Sequence, residues 1–123
     1  MRHPTRQSID KFNSLLGLNE EPGMQDWEIE CSDPKRIDEF IDAYIHNTTS
    51  DDERYTLMAL ILGSFEEYHG TNPPDQSIWP KVRKLLLKHQ SIHQDLINYY
   101  ACPESKNEEE IFPITNQIRE LIQ

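Results

Sequence analysis

His89 and His93 stand four residues apart in "HQSIH", a spacing that puts two imidazoles on one helical face where they can share a metal ion. The glutamate of the zinc hydrolase motif is missing, and a helix start at Ser91 would divide the pair. Two partly exposed structural histidines, with no metal ligand, are therefore expected. Carboxylates offer a second chemistry, but acid–base catalysis needs one of them in an apolar pocket with a raised pKa. The acids here crowd into polar segments that read as exposed: "NEEEIF" at Glu108 to Glu110 as a solvated loop, Glu66 and Glu67 as the outer face of a helix. There is no Gly-rich phosphate loop, no serine nucleophile elbow and no paired-cysteine spacing. The expectation is a chain without catalytic residues or cofactor.

What remains is charge. The net charge is −10, and it is concentrated in one stretch. Between Glu20 and Glu53 there are twelve acids (Glu20, Glu21, Asp26, Glu28, Glu30, Asp33, Asp38, Glu39, Asp42, Asp51, Asp52, Glu53) against Lys35 and Arg36, while acids and bases balance elsewhere. Such a field repels nucleic acid and anionic membrane, and it attracts a basic protein surface and speeds its association. Within the stretch, "DWEIEC" alternates Asp26, Glu28 and Glu30 with Trp27, Ile29 and Cys31. Period two is a strand or extended-edge signal. It would set the three acids on one solvated face, about 6.5 Å apart, with Trp27 and Ile29 anchoring the segment from beneath.

The elements that would position these acids read as helices. Ile9, Phe12, Leu15 and Leu16 follow helical spacing after Thr5, and Gly17 can close the segment. Ser32 or Asp33 before Pro34 starts a second helix carrying the stripe Ile37, Phe40, Ile41, Tyr44 and Ile45. Asp38 and Asp42 lie one turn apart on its flank. Thr49 or Ser50 caps a third helix with Asp51, Asp52 and Glu53 in its first turn and Gly70 at its far end. From Leu57 to Leu62 that helix is apolar nearly all round, which marks it as central. Pro73 and Pro74 break the chain before a helix bearing Val82, Leu85 and Leu86, with Pro80 in its first turn. Ser91 and Gln94 in capping-box register open a helix that buries Ile92, Leu96, Ile97 and Tyr100. Thr115 or Asn116 caps a last one with Ile118, Leu121 and Ile122 inward. The fold class is all-α: one domain over residues 1–123, a compact bundle of about six helices with one short extended segment near residues 26–31.

The 123 residues suffice to bury roughly two thirds of the unfolded surface in one core. Cys31 and Cys102 are too few for a disulfide framework and read as reduced, partly buried thiols. With no secretory signal and no apolar run of membrane-spanning length, a soluble cytoplasmic protein is expected. Lys81, Arg83, Lys84 and Lys88 make one helix basic, but the overall charge opposes direct nucleic-acid binding. Trp79, Tyr68, Tyr99 and Tyr100 suit interface anchors, although aromatics at helical spacing more often belong to a core.

The succession "DWEIECSDPKRIDEFIDAYI", "DDERYTLMALILGSFEEY", "IWPKVRKLLLKHQSIHQDLINYYAC", "FPITNQIRELI" resembles the small, acidic, mainly helical immunity proteins that bacteria encode beside polymorphic toxins of the contact-dependent growth inhibition type. The resemblance runs from about Trp27 to Ile122 and is one of layout. It implies a cytoplasmic protein that binds one cognate toxin domain 1:1, often a nuclease with a basic cleft, and blocks it. The contacts expected from the charge pattern are Asp26, Glu28, Glu30, Asp38 and Asp42, then Asp51, Asp52, Glu53, Glu66 and Glu67. The alternative is an acidic helical adaptor or regulatory module docking through an apolar groove.

Overall fold

Residues 51–71 carry too many apolar side chains for a single buried face, and the rest of the chain wraps around them. The computed structural model describes residues 2–20, 26–71, 77–105, 107 and 111–122, with side chains excepted from 68 to 71. Among these it forms seven α-helices: α1 (Arg6–Leu16), α2 (Trp27–Glu30), α3 (Ile37–Asn47), α4 (Asp51–Thr71), α5 (Ile78–Lys88), α6 (Gln90–Ala101) and α7 (Thr115–Arg119). A 3-10 turn at Pro34–Arg36 leads into α3. The fold is all-α, with no strand among the described residues.

α4 is central, packed by α1, α2, α3 and α6. Its Leu57, Met58, Leu60, Ile61, Leu62 and Phe65 are fully buried, and Phe12, Phe40, Val82, Leu86, Ile97 and Ile118 meet the same cluster from the other helices. Each such side chain contributes about 1.5–3 kcal/mol by leaving water. The helix ends follow local chemistry. Thr5 accepts from the Ser8 N–H at 3.2 Å, and Gly17 closes α1 in the left-handed region at φ 63°. Asp33 accepts from the Lys35 N–H, ahead of Pro34 at the first position of the 3-10 turn. At the start of α4, Ser50 Oγ accepts from the Glu53 N–H while the Glu53 carboxylate accepts from the Thr49 N–H, a reciprocal cap.

Several expectations are corrected. Residues 27–30 form a helical turn, not an extended segment: the Asp26 carbonyl accepts from the Ile29 and Glu30 N–H groups at 3.0 and 2.9 Å. The alternation is too short to make a strand without a neighbouring strand to pair its backbone, whereas one helical turn satisfies that backbone and still buries Trp27. Leu15, Ile45 and Ile122 are exposed rather than inward. Ile45 sits eight residues after Ile37, about 80° past whole turns, which carries it off the buried face. Gly70 lies inside α4, which continues to Thr71. The break between α5 and α6 is at His89 alone, so Ser91 is inside α6 and caps nothing. Thr115 is the first residue of α7, where its hydroxyl donates to the Tyr100 carbonyl at 2.7 Å and accepts from the Phe112 N–H. The Pro73–Pro74 break, Glu21, Glu108 to Glu110 and the Tyr68 side chain lie outside what is described.

Candidate functional site

The acidic stretch is mostly spent inside the molecule. Glu20 forms a forked pair with the Arg6 guanidinium, assisted by Asn13, and these bonds hold its carboxyl below the usual range. Glu53 meets Lys11 Nζ at 2.7 Å, Glu39 meets Arg36 at 2.6 Å, and Asp51 meets Arg54 at 3.3 Å. Asp52 lies 3.9 Å from Arg2, Asp42 lies 3.4 Å from His46, and Asp33 caps its own turn. Asp38 is bonded to Lys81 at 3.0 Å, which ties α3 to the basic α5. Asp38 and Asp42 are both exposed; Asp38 is paired with Lys81, whereas the Asp42 contact is an ion pair only when His46 is protonated. Among the described acids of the stretch, Asp26, Glu28 and Glu30 are left with neither an ion pair nor a side-chain hydrogen bond.

These three share the α2 turn, which is fixed from below. Trp27 is 2% exposed and its indole N–H donates to Asn13 Oδ1 at 2.8 Å. Gly63 of α4 lies directly beneath: a Cβ there would come within 2.5 Å of the Glu28 carbonyl oxygen. Ser64, fully buried, accepts from the Asp33 N–H at 3.0 Å, and Ser32 Oγ donates to Glu67 at 2.6 Å. The helical turn changes what the acids present. Exposed Asp26 and half-buried Glu28 border a cleft, while exposed Glu30 does not line it. Ile29 is 57% exposed instead of anchored.

Ile29 and half-exposed Tyr99 form a ridge between two clefts. The first, about 300 Å³, lies between the N-terminal segment, α2, α4 and α6, with Asp26 and Glu28 on one wall and Tyr55 and Tyr100 in its depth. The second, about 280 Å³, runs from Ile29 past Gly63 to Glu66, Glu67 and Phe112. Tyr99, Tyr100 and Phe112 are mutual neighbours with centroids 5.1 Å apart in each pair. Glu66 is not the solvated outer-face residue expected: it is half-buried, and burial pushes its carboxyl above the usual range against a 3.4 Å bond from the Ile114 N–H. Glu67 beside it is exposed. The basic α5, packed on α3 and α6, carries exposed Arg83, Lys84 and Lys88.

The histidines make a separate, structural cluster. His93 is fully buried, not partly exposed, and Tyr44 Oη lies 2.7 Å from His93 Nε2 and 2.9 Å from His89 Nδ1. One hydroxyl proton serves only one ring, so the other ring must donate to the tyrosine oxygen. Burial, then the neighbouring His89 and arginines, pushes His93 down to about 3. Tyr44 engages one nitrogen of each ring, and the buried His93 Nδ1 has no hydrogen-bond partner. No group of three or more metal-ligating side chains comes together among the described residues. Cys31 and Cys102 are free and half-exposed, and burial with Glu20 and Glu30 nearby keeps the Cys31 thiol protonated.

Sequence reasoning missed the Tyr99–Tyr100–Phe112 cluster, its junction with Glu66, and the Tyr44 bridge. Gly63 within a helical run was the available signal, since a glycine there marks a close approach. No helix among the described residues is long and apolar enough to cross a membrane. No family model, no curated protein and no solved structure matches the chain.

Proposed function

We propose that the chain is a non-catalytic immunity protein of the cytoplasm, which binds 1:1 to a cognate toxin domain, a nuclease with a basic cleft, and blocks it. The reading rests on one observation above the others. The acids of the stretch from Glu20 to Glu53 largely neutralise neighbours within the fold, while Asp26, Glu28 and Glu30 stand uncompensated on a turn held rigidly by Trp27 and Gly63. Unpaired carboxylates on a pre-organised scaffold beside exposed Ile29 and Tyr99 suit a partner surface of cations around an apolar centre. Asp38, Asp51, Asp52, Glu53 and Glu20 contribute to the field and not to contacts, because each is already paired with a lysine or arginine, and exposed Asp42 beside His46 stays a secondary contact. The apolar ridge also favours a second reading, an acidic adaptor that docks on a basic protein other than a toxin.

Co-production with a toxin domain, which the proposal expects to be encoded immediately upstream of this gene, is the test. The proposal expects a 1:1 complex on size exclusion, protection of the host cell, and loss of both in a D26K/E30K variant that folds normally. Protection that survives this variant would sink the site, and a chain that cleaves RNA or DNA by itself would sink the function.

A further inference from the structure

The geometry points to an arginine pocket: we infer that the cleft from Ile29 to Glu66 receives a guanidinium-bearing side chain projected by the protein partner. This inference deepens the protein-binding reading above and rests on it. The cleft is open to solvent beside exposed Ile29 and Tyr99, and about 280 Å³ is room for one long side chain. Tyr99, Tyr100 and Phe112 cluster along it with centroids 5.1 Å apart, which supplies aromatic surface on which a planar cation stacks.

Glu66 supplies the charge. One of its oxygens takes a long 3.4 Å bond from the Ile114 N–H, and the other has no hydrogen bond among the described residues. The half-buried carboxyl takes only that one bond from the described residues, its other oxygen stays accessible to an incoming donor, and burial holds its pKa above the usual range. Glu67, which accepts from Ser32 Oγ at 2.6 Å, borders the same cleft and adds a second carboxylate. A guanidinium offers parallel N–H donors to a carboxylate while its faces lie on aromatic rings, and it sheds water more readily than an ammonium. A lysine would supply the charge without the planar fit, and an aliphatic side chain would leave Glu66 buried without a partner.

The test uses the full chain and three small probes followed by amide NMR: N-acetyl-arginine methylamide and its lysine and norleucine counterparts. The arginine probe is expected to give saturable shifts at Gly63, Tyr99, Tyr100 and Ile114, with roughly tenfold weaker binding of the lysine probe. Glu66→Gln, which keeps an oxygen for the Ile114 N–H, is expected to weaken arginine binding at least about tenfold without lowering the melting temperature. Equal binding of the norleucine probe, absence of saturable shifts, or an unchanged E66Q would overturn the pocket. A wild-type dimer that E66Q converts to monomer in sedimentation would also overturn it, by making a second copy the occupant. Failure of the two readings is distinguishable. A pocket that takes the probe in a chain with no toxin partner leaves the pocket standing and ends the immunity reading; a toxin complex indifferent to E66Q does the reverse.

Discussion

Gly63→Ala isolates the contact on which the placement of the acidic turn depends. The added Cβ would lie 2.5 Å from the Glu28 carbonyl oxygen and 3.5 Å from its carbon, where ordinary contacts begin near 3.4 Å. The obstructing atoms are backbone on both sides, so neither rotates away, and α2 must move outward by nearly an ångström. Overpacking of this kind costs about 1–3 kcal/mol. Replacing a glycine in a helix interior returns about 0.5–1 kcal/mol. The two ranges leave a net loss of up to about 2.5 kcal/mol with a midpoint near 1 kcal/mol, below the roughly 3–5 kcal/mol of losing Trp27 from the core altogether. For a chain of this length the midpoint is a fall of about 4 °C in melting temperature. Circular dichroism at 222 nm gives the temperature, and fluorescence of a Trp79→Phe background reports Trp27 alone. A melting temperature at or above wild type, with Trp27 emission unchanged, would refute the packing of α2 on α4, because the helix-propensity gain would then act unopposed.

Other perturbations separate stability from binding. His93 is held neutral in the fold at about 3 against 6.5 when free, so the unfolded chain takes up the proton more readily. Its contribution is complete above pH 6.5 and drains away as pH falls, with lowered His89 adding to the loss and raised Glu66 opposing it. Urea midpoints should therefore correspond to about 1–2 kcal/mol less stability at pH 5.5 than at pH 7.5, and His93→Leu should flatten that slope; a flat wild-type profile contradicts the buried neutral imidazole. Ser50→Ala removes the cap of α4 and should cost about 1 kcal/mol in urea unfolding, with no change in partner affinity. Glu53→Gln weakens the bridge to Lys11 and the reciprocal cap, so it should lower the melting temperature while leaving binding intact; an altered affinity with an unchanged melting temperature would reverse the division between structural and contact acids.

How far the sequence could be read divides along physical lines. Helices that bury a long stripe declared themselves, as at Phe40, Ile41 and Tyr44, and so did the helix starts near Ser32 or Asp33 and near Thr49 or Ser50, because their determinants are local. The turn at 27–30 did not. Its period-two pattern is a real signal, but four residues carry too little of it to outweigh the burial of Trp27 and the room left by Gly63, thirty-odd positions away. The acidic stretch was legible as a field and not as a site, since charge counts cannot say that Glu20 reaches Arg6 or that Asp38 reaches Lys81. For the same reason Glu66 read as an outer-face residue. Only the approach of Phe112 and Ile114 from the far end of the chain encloses it.

The central claim is that Asp26, Glu28 and Glu30 act on a basic partner and are not merely a solvated face. Stopped-flow association with the cognate toxin domain that the proposal requires, measured from low to high salt, tests it most directly for wild type and for D26N/E28Q/E30Q. The account predicts that the triple variant keeps its melting temperature, associates at least about tenfold more slowly at low salt and loses most of the salt dependence. Superimposable rates and salt slopes for the two proteins would contradict it.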